Sequence, residues 1–290
     1  MPLSHRLRKS MFVRPDEETK QQPRRVVFLS VEGNVTECDY FNFIHIYRER
    51  LGIKSVVHVE VLSRSDTRSD LKSVYDLLDD YLQLHIYGIS AHDIESALDE
   101  AGKDYSLEEI EVYLSGKLKN KNKKEIENAT RLVGIDLSYQ LFLSNYRGSD
   151  NNDVFAIVID RDANSHTEED IRKVFEGCDR RGLKCFITNP CFEFWLLLHV
   201  CDVKTEMENM QQLLLQNPKV SKKHTFVSRE LSSRMHHTKR IPKRTFEESY
   251  LPNIDNAILR AIDYGKDRDD LLDKLGTNIP QLFSILRGQI

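Results

Sequence analysis

The sequence predicts an α/β protein: a Rossmann-like parallel sheet of about four strands with helices on both faces, carrying a helical insertion and a C-terminal helical region. Three observations predict it. Four apolar runs of strand length each lead into a segment of helical periodicity, two of those runs end on acidic residues, and the segment FEFWLLLHV is apolar enough to need burial on all sides.

Val26 to Val31 is the first strand, and Phe41, Ile44 and either Tyr47 or Arg48 recur at helical spacing in the following segment, Val35 to Arg50. Val56 to Leu62 alternates more, as an edge strand does, and leads to a helix over Asp70 to Leu84. Val154 to Ile159, VFAIVI, is continuously apolar and belongs at the sheet centre, where both faces are covered. A helix from Thr167 to Arg181 follows, and then a fourth strand, Leu183 to Ile187. In TNPCFEFWLLLHV, Asn189 is placed to cap, Pro190 suits the first helical position, and the helix beyond must be buried.

Ile86 to Asn151 is far longer than a connection between a helix and a strand needs. Helical patterning at Asp93 to Glu100, Leu107 to Leu118 and Lys123 to Leu132 marks a helical insertion, with the charged run Lys117 to Glu125 as an exposed turn. Phe246 to Tyr264 reads as one amphipathic helix, and two short helices around Leu271 and Leu282 finish the chain. The expected organisation is a basic arm over 1–25, a core over 26–85 and 152–201, the insertion over 86–151, and a helical, basic region over 202–290.

Apolar residues make up 40% of the 290 and charged residues 30%, an ordinary globular profile. No apolar stretch reaches the roughly 18 to 20 residues that cross a bilayer, and MPLSHRLRKS lacks the apolar core of a secretory signal, so a cytoplasmic protein without membrane partners is expected. The five cysteines form no CxxC pair, which argues against a zinc knuckle or a disulfide framework. Net charge is −4, yet Lys219 to Arg244 holds nine Lys or Arg against the single acid Glu230. That asymmetry suits either a solvated face or a surface for a polyanion.

The acidic strand ends carry the chemistry. Asp160 and Asp162 follow the most buried strand, and residues two apart on an extended chain point to the same side. Glu32 ends the first strand. If the two strands are neighbours, about 4.8 Å apart, three carboxylates converge in the crevice beyond the sheet, where α/β proteins bind ligands. Carboxylates that close repel unless a cation joins them, and Mg²⁺ takes one or two direct carboxylates while keeping waters that meet phosphate. Gly33 lets the backbone turn there, and Glu37, one helical turn on, adds a second-shell or second-metal carboxylate. Glu193 on the apolar helix needs a backbone amide, a basic residue such as Arg161 or Lys243, or the metal. His199, roughly 240° further round that helix, does not share its face and suits a satisfied core position as well as a second-shell one.

VEGNVTECDYF, IDRD after a buried strand, NPCFEFWLLLH and GTNIPQLFSIL resemble, in that order, the RloB-like proteins. The resemblance covers most of the chain outside Ile86 to Asn151. It implies a TOPRIM-type fold and a Mg²⁺-dependent phosphotransfer site, with Mn²⁺ as a substitute, similar to those of topoisomerases, primases and OLD-family nucleases. By matching motif positions it implies Glu32 as general acid or base and further ligand, and Asp160 and Asp162 as metal ligands. It also implies an abortive-infection effector in antiphage defence, working beside a partner ATPase.

The leading expectation is thus a nuclease acting on DNA or RNA, tRNA included, with Lys239, Arg240, Lys243 and Arg244 as backbone contacts. The alternative is a non-catalytic adaptor that docks on the ATPase and binds nucleic acid or a nucleotide. A homo-oligomer is a further option. A glycosyltransferase reading explains the DxD pair but not the acid on the other strand, and a phosphatase wants the pair after its first strand and before a hydroxyl residue, whereas here it lies mid-chain and continues as Ala163-Asn164. No P-loop or GxGxxG is present, so any ATP dependence falls to the partner.

Overall fold

The computed structural model describes residues 25–33, 35–53, 57–62, 71–78 apart from 73 and 77, 91–100, 102–114, 126, 128–130, 153–163, 165–235 and 240–289. The basic arm up to residue 24, the charged run Lys117 to Glu125 and Lys239 lie outside them. The chain runs through β1 (Arg25–Val31), α1 (Thr36–Ile46), β2 (Val57–Leu62), α2 (Ala91–Glu100), α3 (Leu107–Leu114), β3 (Val154–Asp160), α4 (Glu168–Arg181), β4 (Lys184–Asn189), α5 (Phe192–Val200), α6 (Phe226–Met235), α7 (Ile254–Ala261), β5 (Gly276–Thr277) and α8 (Ile279–Leu286), with shorter turns between.

The sheet order is β2-β1-β3-β4-β5. Four strands are parallel, as the sequence predicts, and β2 is the edge and β3 the centre. The fifth strand is antiparallel and only two residues long, too short to show periodicity. The Asn278 side chain extends it, accepting from the Ile187 amide (2.7 Å) and donating to the Cys185 carbonyl (3.3 Å), which satisfies the exposed edge of β4. Gly276 lies against the backbone of Gly265, where any Cβ would collide.

Alternation along β1 and β3 splits the core. Val27, Leu29, Val31, Ala156 and Val158 face α1, α5 and the C-terminal helices. Val26, Phe28, Phe155, Ile157 and Ile159 face α4 and helical residues between 71 and 78. The insertion helices α2 and α3 have an apolar cluster of their own around Ile94, Leu98, Ile110 and Tyr113.

Two expectations are corrected. Asn189 does not cap α5 and Pro190 is not its first residue: Asn189 ends β4, donates its side chain to the Leu271 carbonyl (2.9 Å), and the Asn189-Pro190 peptide is cis. The helix begins at Phe192, with Cys191 at the capping position and no capping side chain of its own. Phe246 to Tyr264 is not one helix: a π turn over Phe246–Tyr250 and a 3-10 turn over Leu251–Asn253 precede α7. Pro252 has no amide to continue the ladder.

Candidate active site

The chain goes from β1 to β2 on one side and returns to β3 on the other, so the winding reverses between β1 and β3. That is the crevice where open α/β sheets bind ligands. Val31 pairs with Val158, and the Glu32 amide continues the ladder to the Val158 carbonyl (3.0 Å), which brings Glu32 and Asp160 to the same rim.

Glu32 is held at both oxygens. Oε2 accepts the Asp160 amide at 2.9 Å, and Oε1 lies 3.1 Å from His166 Nε2. Both side chains are largely buried, 13% and 12% exposed. The Glu32 hydrogen bond and then its charge raise the His166 pKa against the opposing effect of burial. His166 is a site residue that motif reasoning misses. The only signal was a titratable ring four residues past the DxD pair, on a loop whose course the sequence does not determine.

Asp160 replaces the missing cap of α5: its Oδ1 accepts the Phe192 amide at 2.8 Å. Its pKa is nevertheless pushed well up, first by burial and then by the charges of Glu32, Glu37 and Glu193. Glu37, 7% exposed, packs over Gly33, where a Cβ would collide with its carboxylate. Its pKa is raised to about 8, by burial first and then by Glu193 and Glu32. The acids that gather are therefore Glu32, Glu37, Asp160 and Glu193, drawn from the residue after β1 and from α1, β3 and α5.

Asp162 is held in another way. The strand ends at Asp160, so the two-residue alternation no longer applies, and Asp162 sits in a turn. Its amide donates to the Pro190 carbonyl (2.9 Å), and its Oδ2 accepts from Ser165 Oγ (2.7 Å). Its charge acts on His166. Arg161 is not the partner of Glu193 either: it donates to the Leu272 carbonyl (2.8 Å) and the His166 carbonyl (3.1 Å), bracing the loop that carries His166. Lys243 and Arg244 instead lie near Glu247 (4.0 Å) and Glu248 (2.9 Å). Exposed Arg240 lies beside Asp39, whose carboxylate accepts the Ile241 amide at 3.2 Å.

His199 belongs to the core, not to the acid cluster. It is 1% exposed, its Nδ1 donates to the Trp195 carbonyl (3.0 Å), and its Nε2 faces the Tyr40 hydroxyl (3.1 Å). Burial lowers its pKa to about 3.

The donors suit a hard divalent ion: all are carboxylate oxygens, they repel one another in a buried site, and no Lys or Arg charge is among the causes acting on Glu37 or Asp160. Among the described residues, however, no three His, Cys, Asp or Glu side chains already stand in metal-holding geometry. The donor chemistry is of the kind that Mg²⁺ takes.

The family model for RloB-like proteins matches residues 27–286. The chain belongs to the RloB-like protein family. Comparison with curated proteins and with solved structures found no match. The RloB-like match begins within β1 and ends at the last residue of α8, so it contains the whole acid cluster and all the strands after β1. Among the described residues of this RloB-like chain, no helix is long and apolar enough to cross a membrane.

These shifts set opposite pH dependences. Glu37 keeps its proton in the fold up to about 8 but loses it near 4.5 when unfolded, so it lowers stability as pH rises through that window. Asp160 acts in the same sense, and His166, whose folded pKa is raised, loses its contribution above 6.5. His199 does the reverse: the unfolded chain binds its proton below 6.5 and the fold refuses it down to about 3, so stability falls as pH falls. In metal-free urea titrations, Glu37→Gln is expected to remove up to one proton, about 1.4 kcal/mol per pH unit, from the alkaline slope, and His199→Asn up to one from the acidic slope. Unchanged slopes in both variants would contradict the burial of these groups.

Proposed function

We propose that this RloB-like chain is a divalent-metal-dependent nuclease of TOPRIM type, a hydrolase of phosphodiester bonds in DNA or RNA. The observation that supports the reading is the cluster of Glu32, Glu37, Asp160 and Glu193: one buried and three part-buried, mutually repelling acids at the winding reversal of the sheet. Asp160, Glu37 and Glu193 would hold Mg²⁺ or Mn²⁺, with Glu32 beside them. When bound, the ion supplies charge compensation, a Lewis acid for the phosphate and a lowered pKa for water.

Glu32 is the proton-handling group. The Asp160 amide and His166 fix its carboxylate, so it takes a proton without having to be oriented first, and His166 offsets its charge. Asp162 shapes the turn that carries His166. From the family resemblance we further propose that the nuclease is a cytoplasmic antiphage effector whose trigger comes from a partner ATPase.

The test is cleavage of tRNA, plasmid and single-stranded DNA in Mg²⁺ and Mn²⁺, with the partner ATPase present. Glu32→Gln is expected to lose at least about a hundredfold in rate with its circular dichroism unchanged. His166→Ala is expected to lower kcat about tenfold or more at constant KM, with His166→Gln recovering part of it, as a positioning residue does. Wild-type turnover by Glu32→Gln removes the mechanism. The adaptor reading has one observation in its favour, that among the described residues no three acids stand in metal-holding geometry. Nucleic-acid binding without turnover in either metal, indifferent to Asp160→Asn, would select it.

A further inference from the structure

The acid cluster on its own repels a phosphodiester backbone, so a strand can reach it only where nearby cations compensate. The residues first expected to do this are poorly suited: Lys243 and Arg244 are near or paired with acids on their own helical segment. Another basic element is anchored to the start of α5. Asn217, 4% exposed and in the left-handed region (φ 42°), accepts the Val227 amide through Oδ1 (2.9 Å) and donates through Nδ2 to Cys191 Sγ (3.5 Å). Cys191 is the capping residue of α5, and the amide of the next residue, Phe192, is the one bound by Asp160. The segment that leaves Asn217 is thus tied to the same helix end as the acid cluster.

That segment is a closed hairpin. Lys219 bridges Thr225 in antiparallel fashion, the amides of Val220 and Ser221 donate to the His224 carbonyl (3.0 and 3.1 Å), and the Phe226 amide returns to the Pro218 carbonyl (2.9 Å). Ser221 Oγ accepts the amides of Lys223 (3.2 Å) and His224 (3.0 Å), which fixes the tip. Lys219, Lys222 and Lys223 are all exposed, and among the described residues none forms an ion pair with an acid. Three unneutralised ammonium groups on a pinned turn, whose base at Asn217 is bonded to the capping residue of α5, form a preorganised cationic arm.

We propose that the Pro218–Thr225 hairpin is the docking element for the phosphate backbone of a nucleic-acid strand, holding it through Lys219, Lys222 and Lys223 while Asn217 sets the hairpin against the acid cluster. The contact is made to phosphate and carries no base specificity. The inference rests on the nuclease reading for what happens to the strand afterwards, but its binding step is independent of turnover.

The experiment uses the full chain carrying Asp160→Asn, in EDTA, with a fluorescent oligothymidylate of about 20 nucleotides and an oligouridylate of the same length, longer than a typical single-strand site. Combined Lys219→Gln, Lys222→Gln and Lys223→Gln is expected to raise Kd about tenfold or more and to lower the slope of log K against log salt by about 2, near 0.7 for each lost phosphate contact. Arginine at the same positions is expected to keep both, and melting temperature is expected to stay unchanged. Wild-type affinity and salt slope in the triple glutamine variant overturn the proposal, as does failure of the parent chain to bind either oligonucleotide. Binding that behaves as expected, with no cleavage by the wild-type chain in any metal, would leave the hairpin assignment standing and remove the nuclease reading alone.

Discussion

Asp160→Asn is expected to abolish cleavage while leaving the metal-free fold at least as stable as the wild type. The two effects have one origin. The part-buried Asp160 carboxylate feels the charges of Glu32, Glu37 and Glu193, so an amide in its place removes repulsion that the fold otherwise tolerates. The Phe192 amide still finds an acceptor, because asparagine keeps a side-chain oxygen. What is lost is a negative ligand, and with it at least about a hundredfold in rate, the scale on which removal of one electrostatic catalytic group is felt. Asp160→Ala separates the roles: it loses the charge and also leaves the first amide of α5 without its partner, at a cost of about 1–3 kcal/mol. Rates in Mg²⁺ and Mn²⁺, paired with urea unfolding in EDTA, give both readouts. An asparagine variant that cleaves normally, or that is less stable than the alanine variant, contradicts the placement of Asp160 in a repelling cluster.

Trp195→Ala is expected to cost about 3–5 kcal/mol, a large share of the 5–15 kcal/mol that holds a typical domain together. Trp195 is fully buried on α5, edge-on to His199 at 4.8 Å between ring centroids and tilted against Phe283 at 5.9 Å. Phe192, Phe194 and Leu196 to Leu198 are buried beside it, so removing the ring leaves a cavity where few neighbours can move in. The loss reaches the site as well, since the end of the same helix receives the Asp160 carboxylate and carries Glu193. Chemical denaturation is the direct measurement. A loss under about 1 kcal/mol, the range of a well-accommodated core change, would show that α5 is not the structural floor of the acid cluster.

Much of the framework was legible along the chain. The continuous apolarity of VFAIVI marked β3 as central, the alternation in β2 marked it as the edge, and the saturation of FEFWLLLHV with large apolar groups required burial on every side. Those readings hold because strand and helix periods are local properties, set by neighbours two to four residues apart. Glu32 and Asp160 were also found at the ends of their strands, but only as an expectation conditional on β1 and β3 being adjacent. Adjacency comes from sheet order, which periodicity does not encode.

The tertiary structure decided the composition of the site. Asp162 lies two residues past the end of β3, where a side chain follows the turn instead of the pleat, and its Oδ2 accepts from Ser165 Oγ. Glu193, ambiguous on an apolar helix, joins the cluster because α5 begins where Asp160 meets its first amide, and His166 joins because its loop folds back onto Glu32. The cap of α5 was assigned to Asn189 from its place just before the helix, whereas the oxygen that serves it comes from a residue 32 positions earlier on another strand. By itself the sequence determined which segments are strands and helices and that acids sit where the central strands end. Only the folded chain decided which charges meet, because electrostatic energy depends on separation in space and falls across ångströms, not residues.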